Sequence, residues 1–248
     1  MKSRSIGIIA LIGSALFSQS AQADVAGRYE NTDEKIPFNF GMTIEADDAD
    51  NVRIQMAHGN QYYLYRDGVM YVVTVGSDET KVMRLDDMLA VQMEAMARLG
   101  WENPFESAPV STSHFAPMDE VVVGSRKGTG YGIVSGEREE AVYASIVISD
   151  DPELKQLGAA IARANASSIR GMGSMGTMLQ TMNSEMLGLL EKGAPLRMLS
   201  VELTDVSFDE IPPERFAIPT EPMTIDEVRH LLISPTIAPP PTLRPHSD

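Results

Sequence analysis

The chain has 248 residues, no cysteine, 43% hydrophobic residues and a formal net charge of −15. That apolar share supports a buried core and excludes wholesale disorder, and the missing cysteine excludes a disulfide framework. A balance of 35 Asp and Glu against 20 Lys and Arg argues against nucleic acid as a partner and against a polybasic membrane-docking surface.

Residues 1–23 read as a signal peptide. Lys2 and Arg4 give a positive start, Ile6 to Phe17 is an apolar run broken by Gly7, Gly13 and Ser14, and Ala21-Gln22-Ala23 offers small residues for cleavage before Asp24. The run is shorter than the about 20 apolar residues a spanning helix needs. Cleavage near Ala23 therefore predicts a periplasmic or secreted protein. Without cysteine there is no lipid-modified thiol to tether it, and no stable membrane anchor is expected in the mature chain.

Asp24 to Arg84 reads as a meander of antiparallel strands. Met42 and Ile44, then Val52, Ile54 and Met56, alternate with Thr43, Glu45, Arg53 and Gln55, the period of a half-buried strand. Asp47 to Asn51 has the composition of a turn. Tyr62 to Arg66 and Val69 to Val75 flank Asp67-Gly68, a pair that readily takes the positive φ of a type I′ hairpin.

Leu85, Met88, Leu89, Met93, Met96 and Leu99 then recur at spacings of three and four, which predicts a helix closed by Gly100. Trp101 to Pro117 reads as loop, with short strands at Glu120 to Gly124 and Tyr131 to Val134 and a further strand over Glu140 to Ser149. Asp151-Pro152-Glu153 has an N-cap acceptor, proline at the first helical position and a carboxylate in the first turn. The helix it opens bends or breaks at Gly171-Met172-Gly173, and a second runs to Gly193. Leu196 to Phe208 reads as one strand, Thr224-Ile225-Asp226-Glu227 as a capping box opening a short helix, and Pro235 to Asp248 as a disordered, proline-rich tail. Residues 24–234 are thus expected to form a single α+β domain, helices on one face of an antiparallel sheet.

Catalytic and metal signatures fail on spacing. His58, His114, His230 and His246 lie too far apart for a sequence-local zinc site. Asp47, Asp48 and Asp50 lack the central glycine and closing glutamate of a calcium loop. Gly124 to Gly136 has no phosphate-loop spacing, and its glycines read as strand bends. Ser174 misses a nucleophile elbow because Met172 stands where glycine is needed. No catalytic residue, metal or cofactor is expected, and the chain reads as a non-enzyme.

Methionine is the unusual feature: the chain has 16, and six lie from Met172 to Met198. Met175, Met178, Met182 and Met186 follow a helical stripe, and Met88, Met93 and Met96 follow another. Unbranched, polarizable side chains conform to irregular ligands, so these seven are the expected lining of an apolar cavity. Ordinary core packing produces the same stripe.

Three segments carry a resemblance. Ile148 to Leu154 leads into helices, Glu191 to Arg197 contains Gly193-Ala194-Pro195-Leu196, and Ile211 to Pro219 closes on Phe216-Ala217-Ile218-Pro219. In that order they resemble a bacterial family of exported proteins known only as a domain of unknown function (the DUF "four-four-one-two" family). That family is similar to the outer-membrane lipoprotein carrier fold, a curved antiparallel half-barrel closed by helices around an apolar cavity. The resemblance implies a curved sheet with helices on its concave face, and a periplasmic protein that binds or carries an acyl chain or a lipidated partner protein. It brings no functional residue with it. The competing expectation is a non-enzymatic envelope interaction module with a closed core.

Overall fold

A computed structural model of the chain describes residues 24–32, 41–100, 113–134, 144–171 and 184–233. The leader, the break at Met172-Gly173 and the proline-rich tail lie outside the described residues. Six strands come first: β1 (Val25–Asn31), β2 (Gly41–Ala46), β3 (Val52–Met56), β4 (Gln61–Arg66), β5 (Val69–Val75) and β6 (Thr80–Arg84). Helix α1 (Leu85–Arg98) follows directly. Then come β7 (His114–Val123), β8 (Arg126–Val134), β9 (Ile146–Ser149) and α2 (Lys155–Gly171), the last opened by a short 3₁₀ turn over Pro152–Leu154. A third helix, α3, is described over 184–190. It leads into β10 (Pro195–Met198), β11 (Val201–Ser207) and α4 (Ile225–Leu232).

All eleven strands belong to one antiparallel sheet, in the order β6-β5-β4-β3-β2-β1-β11-β10-β9-β8-β7. Two meanders therefore meet where β1 pairs with β11, and the sheet stays open because β6 and β7 do not pair with each other. The protein is α+β. Local chemistry accounts for much of this order. The β4–β5 turn places Asp67 at φ 51° and Gly68 at φ 80°, both positive as a type I′ turn demands. The Asp151 side chain accepts a hydrogen bond from the Glu153 amide at 3.0 Å, capping the turn that opens α2. Thr224 and Glu227 form a reciprocal capping box at the start of α4.

Two expectations fail. The stretch from Leu196 to Phe208 is not one strand but two, because Leu199 takes φ 56° and folds the chain back so that Met198 pairs with Val201. Leucine carries no turn signal, and the Leu199 amide is secured instead by the Ser145 carbonyl at 2.7 Å, a partner 54 residues earlier in the chain. Residues 114–117, expected as loop, belong to β7. There His114 to Pro117 pair with Tyr131 to Val134, and a bulge before Glu120 accommodates the proline.

Alternation sorts the first meander into two faces. Val25, Tyr29, Ile44, Val52, Met70 and Val72 are buried on the face that meets the helices. Leu157 of α2 sits so close to β1 that a Cβ at Gly27 would lie 2.6 Å from its Cδ2. Helix α2 goes on across β2 and β3, and its Ala164 packs with Met70 of β5. Small residues at Ala160 and Ala164, both buried in the core, suit this close approach, and Gly158 admits a second one. A Cβ at Gly158 would fall 2.5 Å from the Gly193 carbonyl, and one at Gly193 only 1.8 Å from the Ser149 oxygen. The Gly193-Ala194 turn is thereby wedged between α2 and the end of β9, where the Ser149 amide donates to the Ala194 carbonyl at 2.9 Å.

The opposite face of β4–β6 holds a second cluster of Tyr62, Leu64, Val73 and Val82, packed against Ile218. This cluster is covered by the segment between β11 and α4. Arg215 donates two hydrogen bonds to Glu45, at 2.5 and 3.1 Å, and Arg66 donates to the carbonyl of the buried Phe216. The Met223 amide then bonds the Val82 carbonyl at 2.8 Å on the edge of β6. Beyond it, Val228 of α4 packs with Met83 and Val91, and Arg229 donates to Glu94 of α1 at 2.9 Å.

Candidate functional site

The most apolar cavity lies between α2, α3 and the helix-facing side of the sheet, with a volume of about 340 Å³. That falls at the lower end of the roughly 300–1,000 Å³ typical of small-molecule sites. Met42, Ile44, Ile54, Tyr63 and Met70 form one wall, from β2 to β5, and Met198 of β10 joins them. Ile161, Ala164, Asn165 and Ser168 of α2, with Met186 and Leu190 of α3, form the other. At one end of it α2 and the end of α3 are in tight contact, where a Cβ at Gly158 would lie 2.6 Å from the Leu190 carbonyl oxygen.

No charged side chain is among the described residues that line it. Its polar groups are the Tyr63 phenol, the Asn165 amide and the Ser168 hydroxyl. The Ser168 hydroxyl donates to the Ala164 carbonyl at 3.0 Å and keeps its lone pairs. Such a lining removes apolar surface from water at about 25 cal/mol per Å² and offers hydrogen bonds at only a few points.

One buried polar group stands beside the cavity. Tyr29 is fully buried on β1, directly opposite the cavity-lining Met42. Its hydroxyl has no hydrogen-bond partner among the described residues, and burial pushes its pKa up. It has no contact with solvent and is not one of the lining residues.

Of the seven methionines expected to line a cavity, Met186 does so. Met88 packs instead into the clusters that join α1 to Met70, Leu85, Val91 and Val228. Met93 and Met96 are half-buried on α1 and are not among the lining residues. Met175, Met178 and Met182 lie outside the described residues. Three methionines not singled out in the sequence, Met42, Met70 and Met198, do line the cavity. They sit on strands, where period-two alternation marks a buried face but does not tell a cavity wall from solid core.

The other depressions are polar. One of about 460 Å³ gathers Asp24, Asp47, Asp48 and Glu210 around Asn51 and Arg66. Asp47 spends its oxygens on the Ala49 and Asn51 amides and the Asn51 side chain, and Asp24 accepts from the Ile211 amide. Among the described residues no group of His, Asp and Glu is placed to hold a metal ion, and no helix is long and apolar enough to cross a membrane.

No protein-family model, no curated protein and no solved structure matches the chain.

Proposed function

We propose that this is an exported, periplasmic protein that binds or carries a hydrophobic ligand such as an acyl chain or the acyl group of a lipidated partner. On this reading the open sheet is a curved half-barrel of the lipoprotein-carrier kind, with α2 and α3 on its concave side. The signal-like leader supplies the compartment. The single observation that carries the binding function is the cavity of about 340 Å³ between α2, α3 and the sheet, whose described lining residues are uncharged. A well-packed core keeps few voids larger than a water molecule, so an apolar space of this size is the natural place for a chain of methylenes.

Expression of the full chain with its leader, followed by organic extraction of the purified protein and mass spectrometry, should recover co-purifying acyl lipid. A fluorescent fatty-acid probe should bind the emptied protein, and Met186→Trp, which fills the cavity with a larger side chain, should abolish binding while the thermal transition remains. Absence of both lipid and probe binding would overturn the reading and leave an envelope interaction module with a closed core.

A further inference from the structure

The cavity is polarised along its length. Asn165 and Ser168 belong to the later half of α2, the part over β5, and Tyr63 is on β4. Met198 and Leu190 belong to β10 and to the end of α3 next to the Gly158–Gly193 contact, and the described residues lining that side are apolar. Neither the Tyr63 phenol nor the Asn165 amide hydrogen-bonds another described residue, and the Ser168 oxygen retains accepting capacity. These three groups are half-buried in an apolar wall, and each is free to donate to or accept from the polar head of an occupant.

We infer that the cavity takes a single-chain amphiphile whose head is uncharged and hydrogen-bonding, a glyceryl ester being the simplest chemistry. Its head lies at Tyr63, Asn165 and Ser168, and its tail runs toward Leu190 and Met198. This rests on the proposed binding function and specifies its ligand. The size suits one chain. The lining favours an uncharged head, since no described lining residue is cationic or anionic and an unpaired charge in an apolar site is costly. Arg170 is only five residues beyond Asn165, but that spacing puts it about 140° around the helix. There it lines an adjoining depression with Arg84, Asp86 and Ser167, on the other side of Met70, which borders both. A net charge of −15 further disfavours the approach of an anion.

The test is displacement of a fluorescent acyl probe from the full-length, delipidated protein by monolauroylglycerol, laurate and dodecyltrimethylammonium, which share a chain length and differ in head charge. Monolauroylglycerol should displace the probe at about tenfold lower concentration than either ion, the factor that a pair of net hydrogen bonds supplies. Asn165→Leu and Tyr63→Phe should each weaken monolauroylglycerol about three- to tenfold and leave the two ions unchanged. Tyr63→Phe removes one oxygen and decides the matter if the leucine variant does not fold. Equal or tighter binding of laurate or of the ammonium, or variants indifferent to the head, would overturn this inference and leave the cavity as a general chain binder. A probe that fails to bind the wild-type protein at all would overturn both readings.

Discussion

Single residues in this protein are constrained by very short distances. A Cβ at Gly193 would stand 1.8 Å from the Ser149 oxygen, so Gly193→Ala must push apart the α3–β10 turn and β9. A loss of about 3 kcal/mol in unfolding free energy is expected by urea titration, within the range of severe core lesions. Gly188, on the described part of α3, has nothing within 4 Å of its absent Cβ. Gly188→Ala should therefore stabilise by about 0.5–1 kcal/mol in the same assay, through the helix preference of alanine. The Tyr29 hydroxyl gives a sign that contact counting would miss. Burying it without a partner costs about 1–3 kcal/mol, so Tyr29→Phe should raise the urea midpoint rather than lower it. A lower midpoint would mean that the hydroxyl is hydrogen-bonded in solution.

At the scale of elements, the docking of α4 on α1 is the contact most open to pH. Glu94 accepts from Arg229 of α4 and from Arg98 of its own helix, and these hydrogen bonds hold its carboxyl below the ordinary glutamate value of 4.5. Glu227, bonded by the Thr224 amide and hydroxyl at the start of α4, is lowered in the same direction. A carboxyl whose folded pKa is depressed adds stability that is complete above the unfolded value and is lost as pH falls through the folded one. Amide protection factors in α4, measured relative to the intrinsic exchange rate at each pH, should therefore fall as the pH drops below about 4.5, before those of the Met70–Val72 region of β5. Glu94→Gln should flatten that acid limb, since it removes the titrating group at the contact. The apolar contact of Val228 with Val91 and Met83 has no charge in it, so the docking energy it supplies should not change with pH.

Across the whole molecule, the chain returns on itself. The strand that closes the second meander pairs with the first strand of the first, and the following segment crosses the opposite face of that meander to reach its edge at β6. That segment buries Phe216 and covers Tyr62, Leu64, Val73 and Val82. A chain ending at Ser207 should keep the sheet order yet expose this cluster, bind a hydrophobic dye and associate through the uncovered β6 edge. Sedimentation and dye fluorescence would check this, and a monomeric truncated chain without dye binding would contradict it.

What could be read from the amino-acid order was whatever depends on neighbours. The Asp67-Gly68 turn, the Asp151 and Thr224 caps and the period-two strands from Met42 to Val75 each rest on groups within a few residues of one another, so composition and spacing suffice. The turn at Leu199 was hidden because its stabilising partner, the Ser145 carbonyl, lies far away in the chain. The cavity was hidden for the same reason. A methionine stripe states only that a face is apolar, and whether that face meets solid core or open space depends on how closely two helices can approach one sheet. Here the close contacts at Gly27, Gly158 and Gly193 are part of that approach, and Met42, Met70, Met186 and Met198 line one space while Met88 packs into the core between α1 and α4. Periodicity records which side of an element avoids water, and only tertiary contact decides what fills the far side.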